Sequence, residues 1–327
     1  MAQLTSNTTA FIESQQYSQF ILDNLHDYLL PEGMYRDVTD FGSGTTLNIK
    51  TVGTVTLQDA AEDTPLNFTN IDTGTITLAI TDYIGDAWKV SDDLREDGSQ
   101  VDTLMAMRAM ESTRALGENH ETRFMAVANA GQTAANLNLV NARPHRFVGS
   151  AASNARTITL ADFVAMKLSF DKANAPAGGR IAVVDPIVEA TLNSLISATT
   201  VVNNTPQFQG VLNEGFARDH RFVRNIMGWD IYTSNFLPSL TATEAINATS
   251  VGLTNETAAV GDKANIFMCV ADDSCKPVMH AWRRAPQTEG WRAEEERGDK
   301  YQVTSRFGFG VQRLDTLGVV LTSPSAY

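Results

Sequence analysis

The chain has 327 residues, 43% hydrophobic and 19% charged, a composition that excludes a disordered or fibrous protein and allows a substantial core. Its net charge of −13 is uneven: the first 100 residues hold four basic against sixteen acidic side chains, and the other 227 hold 21 against 22. That balance argues against a nucleic-acid reader, which needs a basic footprint. The two cysteines exclude a disulfide scaffold, and no apolar run reads as a leader or a membrane helix.

Residues 1–44 read as a polar arm. Phe20, Ile21, Leu22, Leu25 and Leu29 give it one amphipathic stretch, ended by Pro31-Glu32-Gly33 and too short to fold alone. Residues 45–83 follow as an extended hairpin. Leu47, Ile49, Val55 and Leu57 alternate with polar residues, as do Ile76, Leu78 and Ile80, and this period of two predicts two strands. Their connection, residues 58–73, carries Asp59, Glu62, Asp63 and Asp72. A first strand reaching Leu57 would span about 40 Å, and a lone hairpin of that length is marginal in water. Nothing adjacent in sequence covers it, so a neighbouring subunit is expected to.

Residues 99–129 predict a long helix of about 45 Å. Ser99 with Asp102 offers an N-cap and a first-turn acid. Val101, Met105, Ala109, Ser112, Leu116, His120, Phe124 and Val127 step at three or four residues to form one seam, and Asn129-Ala130-Gly131 ends it. After a loop at 132–156, Thr159 opens a second helix through Phe170, stopped by Asn174-Ala175-Pro176. Arg180-Ile181-Ala182-Val183-Val184 predicts a buried strand, and Asp185-Pro186 starts another helix through Leu195. Residues 222–224, Gly228-Trp229-Asp230-Ile231-Tyr232 and Asn235-Phe236-Leu237-Pro238 read as strands around a turn. Near the end, 266–271 and 277–282 read as a hairpin. Tyr301, Val303, Ser305, Phe307, Phe309 and Val311 alternate along one long strand, and Val319-Val320-Leu321 closes the chain.

Catalytic motifs are missing. His120-Glu121 starts a zinc-protease pattern, but Phe124 stands where its second histidine belongs. Phe307-Gly308-Phe309-Gly310 lies within a strand and opens no helix, so it is not a dinucleotide loop. The five histidines form no recognisable acid–base group, and no cofactor or metal is expected. Arg218, His220, Arg221 and Arg224 cluster beside Glu214 and Asp219, either as a solvated face, or as a subunit contact or the lining of a symmetric pore.

The order of elements resembles the capsid proteins of tailed bacteriophages, an α+β fold shared with encapsulins. Arg180-Ile181-Ala182-Val183-Val184-Asp185-Pro186 and Gly228-Trp229-Asp230-Ile231-Tyr232-Thr233-Ser234 with Leu237-Pro238 look like steps of that fold's axial domain. Arg306-Phe307-Gly308-Phe309-Gly310 and Gly318-Val319-Val320-Leu321 look like its final strands. The resemblance implies an N-terminal arm (1–44), an extended hairpin loop (45–83), a peripheral domain (84–150 and 266–327, with a spine helix at 99–129) and an axial domain (151–265). It implies a non-catalytic major capsid protein that assembles with itself, as pentamers and hexamers, into an icosahedral head in the host bacterial cytoplasm. The head would enclose double-stranded DNA without reading its sequence, and no membrane is involved. A portal and, optionally, a decoration protein would be further partners. The hairpin begins near Thr45, leaving no room for an internal scaffolding segment, so a separate scaffolding protein is expected. Contact residues would be Asp59, Glu62, Asp63 and Asp72 on the loop, with Arg218, Arg221, Arg224, Arg283, Arg284 and Arg292 as basic counterparts. One branch of the family links a loop Lys to an Asn of a C-terminal strand. Here the hairpin's only Lys is Lys50 and no Asn follows Asn265, so a shell without covalent links is expected. Alternatives are an encapsulin shell and a β-rich surface-binding protein.

Overall fold

A computed structural model describes residues 33–39, 44–53, 70–98, 101–132, 139–140, 142–150, 155–197, 225–246, 248–253 and 256–325, together with 55, 57–60, 62, 63 and 68. In chain order these form β1 (Arg36–Asp37), β2 (Thr46–Val52), β3 (Thr73–Ala79), β4 (Asp82–Ser91), α1 (Asp92–Asp97), α2 (Val101–Gly131), β5 (Leu139–Val140), β6 (Arg143–Pro144) and β7 (Arg146–Val148). There follow α3 (Leu160–Lys172), β8 (Arg180–Val184), α4 (Pro186–Ser197), β9 (Asn225–Ile226), β10 (Trp229–Thr233), β11 (Glu244–Ile246) and β12 (Glu256–Ala258). The chain closes with β13 (Lys263–Cys269), β14 (Val278–Ala293), β15 (Gly298–Val311) and β16 (Leu317–Thr322). The described residues divide into two compact units, one from 86–115 and 288–303, the other from 33–85, 116–287 and 304–325.

The larger unit is organised by a six-stranded sheet in the order β7-β16-β13-β8-β10-β9. β8 pairs parallel with β10 and antiparallel with β13. All five β8 residues are buried, which explains an apolar run without polar alternation: both faces of the strand are covered. Ala182 and Val184 face a cluster with Phe163, Met166 and Phe170 of α3, whereas Ile181 and Val183 face Phe124, Met125 and Ala128 of α2. Trp229 is fully buried, with Phe170 and Phe267 edge-on at 4.9 and 5.0 Å. Met227 and Gly228, both at positive φ, make the tight turn between β9 and β10, which a glycine at its second position eases. The sheet gathers residues from both sides of the expected 265/266 boundary.

Several expectations need correction. The hairpin of 266–271 with 277–282 does not form. β13 is buried along most of its length and pairs with β8 and β16, while β14 joins β1 and β15 in a four-stranded sheet of order β1-β14-β15-β4. Asn235–Pro238 is not a strand, although the Pro238 carbonyl accepts from the Ala264 N–H at 3.0 Å. The first hairpin strand stops at Val52 rather than Leu57, and the last rung is the Gly53 N–H to the Asp72 carbonyl, 2.8 Å. The strand at 222–224 and the Ser99 cap lie outside the described residues.

The long helix follows its predicted seam. Ser112, Leu116 and Phe124 are buried and none of the other seam residues is exposed. At its C-terminal end the buried Arg146 guanidinium donates to the Gln132 carbonyl and Asn129 Oδ1, both at 2.8 Å, and pairs with Glu244 at 2.8 and 3.0 Å. That places a cation where the helix leaves carbonyls unpaired. Within the capping box of α3, Asp162 accepts from the Thr159 N–H at 2.7 Å. β4 and α1 are additional elements that the sequence reading passed over. The inward positions of β4 include Asp82 and Asp86, which interrupt an apolar period. Arg123 answers the first at 2.5 Å, and Arg108 answers the second at 2.7 Å.

Candidate functional site

The β2–β3 hairpin has a seated base and an open tip. Its strands pair antiparallel from Thr46↔Ala79 to Val52↔Thr73. Period two turns Leu47, Ile49, Ile76 and Leu78 to one face, where they pack with Ile80, Met279 and Ala281. The base is therefore covered by its own chain, which corrects the expectation that a neighbour must supply all of the cover. β15 makes room for it. A Cβ on Gly308 would run into the Ala79 carbonyl and stand 2.9 Å from Ile80 Cα, and one on Gly310 would stand 2.9 Å from Leu78 Cδ1. The Gly-x-Gly of this strand is thus a packing device for the hairpin.

Past the last rung the pattern inverts. Val52, Val55, Leu57, Phe68 and Ile71 are 71%, 81%, 91%, 102% and 79% exposed. Scattered surface hydrophobics are ordinary, but five large ones fall here within twenty residues of sequence. Asp59, Glu62, Asp63 and Asp72 are all exposed among them. The sequence reading singled out these acids and missed the apolar side chains. The available signal was Phe68 and Ile71 in a segment with no period able to bury them.

The basic candidates differ from one another. Arg292 grips both carboxylate oxygens of Asp92 at 3.0 and 2.8 Å and reaches Asp299 at 3.5 Å. Asp299 also binds Arg95 at 2.5 Å, and Glu296 sits between Lys89 and Lys300 at 2.9 and 2.5 Å. The hydrogen bonds from these two lysines hold the Glu296 carboxyl at about 2. Arg292 thus already closes an ionic lattice on its own ribbon. Arg283 is exposed, while Arg284 is half-buried and donates from Nε to Gln287 Oε1 at 3.2 Å. Arg218, Arg221 and Arg224 lie outside the described residues.

Two histidines 160 positions apart do meet. His120 Nε2 of α2 and His280 Nε2 of β14 are 3.1 Å apart. Tyr35, Trp282, Phe307 and Phe309 surround them, with Trp282 stacked on His120 at 5.0 Å. Burial pushes both imidazoles down to about 4, helped at His280 by the neighbouring His120. Among the described residues no three His, Cys, Asp or Glu side chains gather as a metal site. No described helix is long and apolar enough to cross a membrane. Cys269 and Cys275 are free thiols, and burial raises the pKa of Cys269.

Comparison with known proteins places the fold. The family model described as phage capsid protein matches residues 45–322. Among solved structures, the capsid of the cyanophage P-SCSP1u aligns over 98% of this chain and 95% of its own, at 17% identity and a TM-score of 0.64. The mature capsid of bacteriophage PhiM1 aligns over 99% and 97%, at 12% identity and a TM-score of 0.69. A structure from Mycobacterium phage Che8 aligns over 94% and 97%, at 15% identity and 0.62. At these identities the likeness is one of fold. No curated protein matches the chain.

Proposed function

The chain belongs to the phage capsid protein family, and from that premise we propose how its surfaces build a shell. It is a structural subunit of the virion head, not an enzyme, and it works as many copies of itself. The open tip of the hairpin is the principal contact with a neighbouring copy. The observation that carries this reading is the row of exposed side chains from Val52 to Ile71. Burying one of them is worth about 1.5–3 kcal/mol, so several per contact, repeated around a closed shell, supply cooperative assembly.

Around that apolar contact, Asp59, Glu62, Asp63 and Asp72 meet basic residues of the neighbour, among them Arg283, Arg284 and Arg292. Arg218, Arg221 and Arg224 serve contacts near the symmetry axes of pentamers and hexamers. The division into arm, loop, peripheral domain with spine helix, and axial domain accompanies this reading. So do a separate scaffolding protein, a portal, an optional decoration protein, and assembly in the host bacterial cytoplasm around double-stranded DNA.

Subunits are joined without covalent links. Lys50 stands in β2, away from the tip. Asn265 is fully buried, its amide donating to the Val320 carbonyl at 2.9 Å and to Thr322 Oγ1 at 2.8 Å. Boiled, reduced virions should run as one band at 35.6 kDa, and a ladder of multimers would refute this point.

The reading as a whole is tested by Leu57→Asp with Phe68→Asp. Purified subunits should keep the parent's circular dichroism and form no shells in negative-stain micrographs under conditions where the parent does. Shells as abundant as the parent's would overturn it.

A further inference from the structure

The arrangement around β15 carries a consequence beyond assembly contacts. Along this strand Phe307 and Phe309 turn to the histidine pair, and Gly308 and Gly310 turn to the base of the hairpin. The two faces of one strand therefore tie the packing around His120–His280 to the seat of Leu78, Ala79 and Ile80. We propose that the His120–His280 pair is an acid-sensitive pin, which holds α2 against β14 and β15 while neutral and forces them apart when both rings are protonated.

In the neutral state one Nε2 donates to the other across 3.1 Å, which needs opposite tautomers and fixes both rings. A first proton can settle on Nδ1 of the donor ring and leave that bond in place, but a second removes the remaining acceptor and sets two like charges at that distance within a wall of aromatic rings. His280 Nδ1 is buried without a partner among the described residues, so a second donor there gains nothing. Surrounding charges offer little relief. Asp37 on β1 is the carboxylate that acts on His280, and it favours the charged ring only against burial and the His120 charge. On α2, Glu121 accepts from Ser234 Oγ at 2.8 Å and Arg123 is paired with Asp82. β15 presents Phe307 and Phe309, with Arg306 alternating to its other face, and β1 adds the ring of Tyr35.

The sign follows from the depressed values. Both folded-state values lie near 4, below the ordinary 6.5, so the unfolded chain binds more protons between those limits. Stability is complete above pH 6.5 and is lost as the pH falls towards 4. Two such rings raise the unfolding constant by at most about 100-fold per pH unit within that window.

The test is denaturant unfolding of the full chain from pH 7 to 4, for the parent and for His120→Gln/His280→Gln, in which two amides can keep a neutral hydrogen bond. The parent should show a steeper loss of stability than the variant throughout this window, and equal slopes would overturn the proposal. Should the double variant fail to fold, NMR of the parent with ring-labelled histidines decides. Two of the five rings titrating near pH 4 support the pin, and all five titrating near 6.5 refute it. The effect on the hairpin base is read separately, as a protection factor of the β2 and β3 amides, corrected for the intrinsic exchange rate at each pH, that falls on acidification in the parent alone. Its bearing on shells rests on the assembly reading above, whereas the unfolding slopes and ring titrations do not, so either can fail without the other.

Discussion

The central sheet and the hairpin tip are made from the same kinds of side chain and differ in what covers them. In β8 and β13, Ile181, Val183, Ile266 and Phe267 are closed over on both faces by helices of the same chain. Between Val52 and Ile71, valine, leucine, phenylalanine and isoleucine stand in water. Apolar area stabilises only what it is buried against. The sheet is therefore complete in one subunit, whereas the tip is the surface proposed to be completed by another.

Substitutions should separate the two regions, beginning in the sheet. Trp229→Ala removes the ring that Phe170 and Phe267 pack against and should cost about 3–5 kcal/mol in denaturant unfolding. A loss below about 1 kcal/mol would mean that this core is looser than described. Gly308→Ala, at the seat of the hairpin, should cost about 1–3 kcal/mol through overpacking against Ala79 and Ile80. It should also speed amide exchange in β2 and β3, and unchanged exchange there would place the strain elsewhere. Replacing residues 58–72 by a short Gly-Ser turn should change subunit stability by no more than about 0.5 kcal/mol while abolishing shells in micrographs. Unfolding of that variant would move the tip into the same class as the sheet. Arg292→Ala should have the smallest effect, a shift in thermal midpoint that high salt erases, since its lattice with Asp92 and Asp299 is exposed. The neighbouring Glu296, held at about 2, adds stability that is present above about pH 4.5 and is lost as the pH falls towards 2.

Much of this was legible in the sequence wherever one face of an element had to be apolar. The seam from Val101 to Val127, the run Arg180–Val184, the strand through Trp229–Tyr232 and the strand from Tyr301 to Val311 all form where the sequence expects them. Pairing was less legible. Ile266 and Val278 both begin apolar runs, and nothing local says that one strand enters the six-stranded sheet and the other leaves for a second one. β4 escaped notice because Asp82 and Asp86 point inward, to Arg123 and Arg108 that lie far along the chain. Of the proposed contacts, the acids of the tip could be named from sequence because charge needs no partner to be visible. Leu57 and Phe68 could not, since an apolar side chain reveals a docking surface only once its own fold is seen to leave it bare.

Hydrogen exchange measured on free subunits and on assembled shells tests the central claim most directly. The amides of β8, β13 and β16 should exchange equally slowly in both forms. Those between Val52 and Asp72 should exchange fast in the free subunit and become protected only in the shell. Equal exchange of that segment in the two forms would contradict the account.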